Sequence, residues 1–241
     1  MPSIEVLRNL KRTMERINMK IFYIEGNIGS GKSTMIHNLK LLSKKHQPDV
    51  NYETHNKKII FLEEPLNEWN KIIDITDGKN ILQKFYEDQY KYSFAFQVMS
   101  LQTRSIQLRR AMEENPDAII VSERSIFTDC NIFAKMLHDD GKIDPIEKEV
   151  YNLIFNETSK ILDGTTQKSI YLQSSPENTF IKKCKRNRNG EEGISLEYLQ
   201  KCHIYHENAF LNSDLIVNID DYPINTPEYS RLLVSLMDYI N

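Results

Sequence analysis

The sequence predicts an α/β fold in which a parallel β-sheet is covered by helices on both faces. Three observations carry that prediction. Short apolar, β-branched runs alternate with longer stretches of helical period. No internal repeat and no Pro/Ser/Gly-rich linker interrupts the alternation, so the chain reads as one domain over 1–241. Three of only 8 glycines fall within six residues, at the junction of one apolar run and the helix-like stretch after it.

The elements follow in order. Ile4, Leu7, Leu10, Met14 and Ile17 recur at helical spacing, with Arg8, Lys11, Arg12 and Arg16 between them. This predicts a leader helix within residues 1–19. A mitochondrial transit segment would be rich in arginine and poor in acids, and Glu5 and Glu15 speak against one. Strands are expected at Ile21–Glu25, Ile59–Leu62, Ala118–Ser122, Ser169–Leu172 and Leu215–Ile219. Helices are expected near Lys32–Lys45, Ile81–Glu114, Ile126–Leu137, Pro145–Leu162, Pro176–Lys185, Ser195–Phe210 and Glu228–Ile240. The second of these is unusually long and is expected to break near Tyr90–Ser93. Strands buried on both faces read as continuous apolar runs, which is why the parallel arrangement is preferred.

Composition narrows the function. Hydrophobic residues are 40% and charged residues 27% of the 241, the balance of a globular chain. Lys+Arg number 31 against 34 Asp+Glu, a net charge of -3. Gripping a polyanion calls for a basic surplus, so nucleic acid is not an expected partner. The longest aliphatic runs, such as Ala118–Val121, fall far short of a membrane span. Cys130, Cys184 and Cys202 form no C-x-x-C pair, which fits reduced thiols in a cytoplasmic compartment.

Gly26-Asn27-Ile28-Gly29-Ser30-Gly31-Lys32-Ser33 fits G-x-x-x-x-G-K-[ST] and is followed by Thr34. It lies between a strand and a helix, the context in which such a loop cradles phosphates. Glycines allow successive N–H groups to face one anion, and the helix N-terminus adds partial positive charge. Lys32 can reach the β- and γ-phosphates and the Ser33 hydroxyl can ligate Mg²⁺. The expected donor is ATP. Guanine-nucleotide switch motifs D-x-x-G and N-K-x-D are absent, and the strand at Ile59 runs into Glu63-Glu64-Pro65. A carboxylate at the carboxyl end of a parallel strand can take a proton from an attacking hydroxyl.

GNIGSGKST, EEP with Trp69, NILQKFYE…YSFAFQVMSLQTR, SERSIFTD and RNRNGEEGISLEYL, in that order, resemble the deoxynucleoside kinase family. The resemblance covers about Ile21 to Phe210. It implies a P-loop nucleoside-kinase fold with a five-stranded parallel sheet, a lid at about 186–193 and a homodimer. It implies Glu64 as general base and Arg124 as the bridge between the sugar 5′-oxygen and the transferring phosphoryl. Glu123 would help hold Mg²⁺. Tyr86 and Glu191 match the pair that holds the sugar 3′-hydroxyl, with 2′-deoxyribose the expected sugar. Lys182, Arg186 and Arg188 match the donor-side basic residues. Lys182 stands where relatives often carry Arg, and a lysine offers no flat guanidinium to stack on adenine.

For the base, Gln97 matches the reading amide, with Phe96 and Phe133 as aromatic walls. Asp129 can accept from the amino group of cytosine or adenine and would repel O4 of thymine, while Arg104 can donate to O6 and N7 of guanine. Deoxycytidine and purine deoxynucleosides are therefore expected to be accepted and thymidine to be poor. The plainer alternative makes Arg104 and Asp129 a structural ion pair. Cys202, His203 and His206 lie on one helix, but three ligands from one helix is no familiar zinc arrangement. Asp139-Asp140-Gly141 is expected to be a turn between helices. A thymidylate-type nucleoside monophosphate kinase is the nearest rival, although Glu63 and Glu64 would repel its dianionic acceptor. A non-catalytic ATP-binding scaffold is the remaining alternative.

Overall fold

The computed structural model describes residues 19–45 and 57–241. The leader helix expected within residues 1–19 falls, apart from Met19, outside the described residues. Five strands form one sheet: β1 (Lys20–Glu25), β2 (Ile59–Leu62), β3 (Ile119–Glu123), β4 (Thr166–Gln173) and β5 (Leu215–Asn218). Their order is β2-β3-β1-β4-β5 and every pairing is parallel. All five carboxyl ends therefore lie along one edge.

Side-chain alternation splits the core between the two faces of this sheet. Ile21 and Tyr23 pack on one face with Trp69, Phe85, Leu101 and Tyr151. Phe22 and Ile24 pack on the other with Met35, Leu39, Leu236 and Ile240. The second face is covered by α1 (Lys32–Lys45) and α10 (Pro227–Ile240). The first carries α2 (Leu66–Trp69), α3 (Ile81–Glu87), α4 (Gln89–Glu114), α5 (Ile126–Thr128), α6 (Lys135–Asp139) and α7 (Pro145–Ser159). α8 (Pro176–Arg186) and α9 (Leu196–Phe210) pack against each other near the carboxyl edge.

Several boundaries move from their sequence-based positions. The long second helix breaks at Asp88, not at Tyr90–Ser93, because Asp88 leaves helical geometry and its side chain caps the next helix by accepting from Lys91 N. β4 begins at Thr166 rather than Ser169, since its polar first residues continue the ladder beside Lys20–Phe22. The helix expected over Ile126–Leu137 contains a π-helical turn, Asp129–Ala134, between α5 and α6. The short α2 after Pro65 was not anticipated. Asp139-Asp140-Gly141 does close a turn, with Gly141 at φ 68°. Asp144 with Pro145 and Glu147 builds a capping box that starts α7.

Candidate active site

Three sequence-distant segments meet where β1, β2 and β3 end. The glycine-rich loop leaves β1, Glu64 follows β2, and Glu123-Arg124 closes β3. Two buried acceptors hold the third segment to the first. The carboxylate of Glu25, the last residue of β1, accepts from Ser125 N at 2.8 Å and from Thr128 Oγ1 at 2.7 Å. Arg124 N donates to Ile24 O. Arg124 itself takes φ 63°, a left-handed conformation that is uncommon outside glycine and typical of functional turns. The role of Glu25 was not foreseen, as a lone strand-end acid carries no spacing signal.

In the loop, Gly29 has φ 83° and a β-carbon there would lie 2.4 Å from Thr179 O, so only glycine fits against α8. Lys32 Nζ folds back on the loop, donating to Gly26 O at 3.0 Å and Asn27 O at 2.7 Å. Burial, helped by the charge of Arg124, brings its pKa down to about 7. Asn27 is turned inward and donates to Leu199 O at 2.9 Å, which ties the loop to α9. Ser33 Oγ donates to Glu123 Oε1 at 2.8 Å. This hydroxyl–carboxylate pair at the mouth of the loop is an all-oxygen set, the donor chemistry that suits Mg²⁺.

A cavity of about 370 Å³ runs from the loop to the far end of the sheet edge. It is lined by Ile28, Gly29, Gly31, Lys32, Ser33 and Thr34 at one end and by Trp69, Phe96, Gln97, Arg104, Asp129 and Phe133 at the other. Between them stand Glu64, Tyr86, Glu123, Arg124 and Glu191, with Lys182, Arg186 and Arg188 above. Gly26, Asn27 and Ser30 are buried beneath the loop or form its back rather than this cavity wall. Ser30, Gly31 and Thr34 also border a second cavity of about 270 Å³, closed by Lys182, Asp220 and Tyr222. Asp220 accepts from Lys182 Nζ at 2.9 Å.

The middle of the large cavity is densely charged. Burial pushes the Glu64 carboxyl up, but Arg124, Arg104, Lys32 and Arg188 together outweigh it and hold the group below the usual carboxylate range. The guanidinium groups of Arg124, Arg104 and Arg188 approach it to 3.8, 3.7 and 3.6 Å. Glu191 accepts from both Arg186 and Arg188. The two arginines expected in a lid thus pair with carboxylates of the cavity wall, which the sequence reading did not foresee. Burial and the nearby Glu191 charge raise the Tyr86 phenol well above its ordinary value, so it remains a neutral donor.

At the far end, Arg104 Nε donates to Asp129 Oδ2 at 2.9 Å, Arg104 Nη1 to Glu123 O at 2.7 Å, and Ser100 Oγ to Asp129 Oδ1 at 3.1 Å. The ion pair anticipated as the plainer alternative exists, and it lines the cavity. Gln97 is buried, and its Oε1 has no hydrogen-bond partner among the described residues. A buried acceptor without a donor is costly. Phe96 stacks on Phe85 at 4.5 Å and meets Trp69 edge-on at 5.4 Å. Phe133 lies under the Arg124 guanidinium, 4.9 Å from ring centre to Cζ. Ser100, Leu82 and Tyr198 also line the cavity and escaped the sequence reading. Their side chains converge only through helix packing.

A sequence profile of the family described as deoxynucleoside kinase matches residues 22–237. That is most of the chain. The chain belongs to the deoxynucleoside kinase family. It is 31% identical to a probable deoxycytidine kinase of Fowlpox virus over 90% of this chain and 87% of the relative. It is 30% identical to deoxycytidine kinase of Homo sapiens, over 86% of this chain and 81% of that one. Identity to the mitochondrial deoxyguanosine kinase of Xenopus laevis is 32%, covering 83% and 76%. As a member of this family the chain is a kinase, and the observed five-stranded parallel sheet is the fold that the resemblance implied. Neither the monophosphate-kinase reading nor the scaffold reading is favoured. No helix among the described residues is long and apolar enough to cross a membrane.

Proposed function

We propose that this protein transfers the γ-phosphate of ATP to the 5′-hydroxyl of a 2′-deoxynucleoside, accepting deoxycytidine and purine deoxynucleosides and disfavouring thymidine, in nucleotide salvage. The observation that carries the reading is one cavity joining a phosphate-binding loop to a partly buried carboxylate, Glu64, and onward to a pocket of aromatic rings and the Gln97 amide. Its two ends suit the two halves of the reaction.

The donor phosphates sit in the loop, where Lys32 leaves Gly26 O and Asn27 O to meet them. The second cavity beside Gly31 suits the donor's base, with Lys182 and Asp220 at its wall. Ser33 and Glu123 would hold Mg²⁺, which would supply positive charge to offset that of the donor phosphates. Residues 186–193 act as the lid, bringing Arg186 and Arg188 over the phosphates. The acceptor's 5′-hydroxyl lies between Glu64 and Arg124. Glu64 takes its proton as the new P–O bond forms and the donor's diphosphate leaves. A low carboxylate pKa is no obstacle here, because phosphoryl transfer is loose and the hydroxyl becomes acidic only as bonding to phosphorus develops. Arg124, Lys32 and Arg188 stabilise the charge on the moving group.

Tyr86 donates to the 3′-oxygen and Glu191 accepts from that hydroxyl. Gln97 reads the base edge, Phe96 and Phe133 bound the ring, and Trp69 closes the side. Arg104 and Asp129 hold a fixed set of donors and acceptors that a thymine would leave unpaired. The resemblance further implies a homodimer, and α7 presents Ile146, Val150 and Leu153 on one exposed stripe suited to a second copy.

Incubation with ATP, Mg²⁺ and a panel of nucleosides and nucleoside monophosphates tests the reading. New 5′-monophosphates of deoxycytidine and purine deoxynucleosides are expected. Phosphate appearing only on monophosphates, or a wild-type preference for thymidine, overturns it.

A further inference from the structure

We infer that His206 is a positioning residue for Arg124, holding the guanidinium in a place where it can meet the phosphoryl group without collapsing onto Glu64. This rests on the role proposed above for Arg124. His206 is fully buried in α9, and its ring lies between two polar partners. Nδ1 is 2.7 Å from Cys202 O, the carbonyl one turn back, and Nε2 is 3.2 Å from Arg124 Nη1.

Those partners leave only one protonation state. A backbone carbonyl can only accept and a guanidinium can only donate. Nδ1 therefore carries the proton and Nε2 presents its lone pair to Arg124. An imidazolium would aim a second positive N–H at the guanidinium. Burial, followed by the Arg124 charge, accordingly keeps the ring neutral. The ring is itself fixed, edge-on to Phe133 at 5.9 Å and parallel to Tyr171 at 6.4 Å. Tyr171 is in turn anchored by its hydroxyl donating to Glu207 at 2.7 Å.

Arg124 is thus held from three sides. Phe133 lies beneath its plane, His206 accepts from one amino group, and Glu64 stands 3.8 Å from Nε. That last distance is longer than a direct charge-assisted hydrogen bond, typically about 2.7–2.9 Å. Without the His206 acceptor, the guanidinium is free to close the gap. The base and the electrophile would then neutralise each other. A positively charged partner could not do the work of His206, and an apolar one would leave a buried donor open.

His206→Gln and His206→Met test this, since the two replacements match in length and flexibility but only glutamine offers an amide oxygen. Thermal melts of both variants are taken first, so that turnover is compared between equally folded proteins. We expect His206→Met to lower kcat by about 10–100-fold, the usual cost of losing a group that orients a site residue, with KM for donor and nucleoside little changed. His206→Gln should recover most of kcat. In an Arg124→Ala background, His206→Met should have no further effect, because the two act as one unit. Equal losses in the glutamine and methionine variants, or effects that multiply with Arg124→Ala, overturn the inference. If Arg124→Ala alone leaves kcat intact, the reading of Arg124 fails instead, and the two failures are told apart.

Discussion

The two ends of the cavity are built in opposite ways. The phosphate cradle at the donor end is one unbroken stretch, Gly26 to Thr34, whose geometry is set by neighbouring residues and by glycines at positive φ. The acceptor end draws Glu64, Tyr86, Gln97, Arg104, Asp129 and Glu191 from five separate segments, with only Gln97 and Arg104 sharing one, α4. A contiguous anion nest is a local solution that backbone conformation alone can provide. A pocket that must tell bases apart needs polar groups converging from several directions, which only packed helices can supply. Between the two ends, Glu64 belongs to both, since the proposed reaction sets it against the acceptor hydroxyl and it feels Lys32 of the donor loop.

The sharpest way to separate the ends is to remove the group they share. Glu64→Gln keeps the shape and deletes the base, and kcat should fall by about 10²–10⁴-fold. Donor binding should be retained or tightened, because a negative charge facing the phosphates is gone. Steady-state turnover together with nucleotide titration checks both halves, and normal turnover would take Glu64 out of the base role.

A change confined to the acceptor end should alter which nucleoside reacts and leave donor handling alone. Arg104→Met with Asp129→Ala removes both partners of a buried ion pair, so no uncompensated charge remains, whereas either change alone would strand one. Thymidine turnover relative to deoxycytidine should rise by about 10²-fold or more. Competition assays with both nucleosides read this ratio, and an unchanged ratio would reduce the pair to a structural role.

The mildest test bears on the donor end. Lys32 titrates at about 7 in the free protein and must be protonated to meet phosphate. The kcat/KM for donor, which reports the free protein, should therefore decline about tenfold per pH unit above 7. With donor bound, the phosphates hold Lys32 protonated, so kcat should stay level over the same range. A flat kcat/KM up to pH 9 would show that the loop lysine stays charged on its own.

How much was legible beforehand follows the same division. β1, β2, β3 and β5 lie within a residue or so of their expected positions, because each is a short continuous apolar run; β1 and β3 read so because they are buried on both faces. β4 was read short because Thr166, Gln167 and Lys168 are polar, and only the ladder to β1 makes them strand. The helix break was misplaced by a few residues because Asp88 acts as a cap only in its folded setting. The π-turn at Asp129–Ala134 left no periodic trace at all. At the site, Glu25 and His206 went unrecognised. Each acts on the Arg124 turn through contacts about 100 and 82 residues away in sequence. His206 was weighed only as a metal ligand, since spacing along α9 shows its helix neighbours and nothing across the cavity.

By itself, the sequence determined the alternating α/β order, the phosphate-binding loop and the kinds of residue available for chemistry. These are local matters of periodicity, backbone freedom and side-chain type. Tertiary structure alone decided that Glu64 stands among four cations, that Arg124 rests on Phe133 and His206, and that Gln97 Oε1 is buried without a donor among the described residues. Such properties depend on distance, burial and mutual charge, and those quantities come into being only when the chain folds.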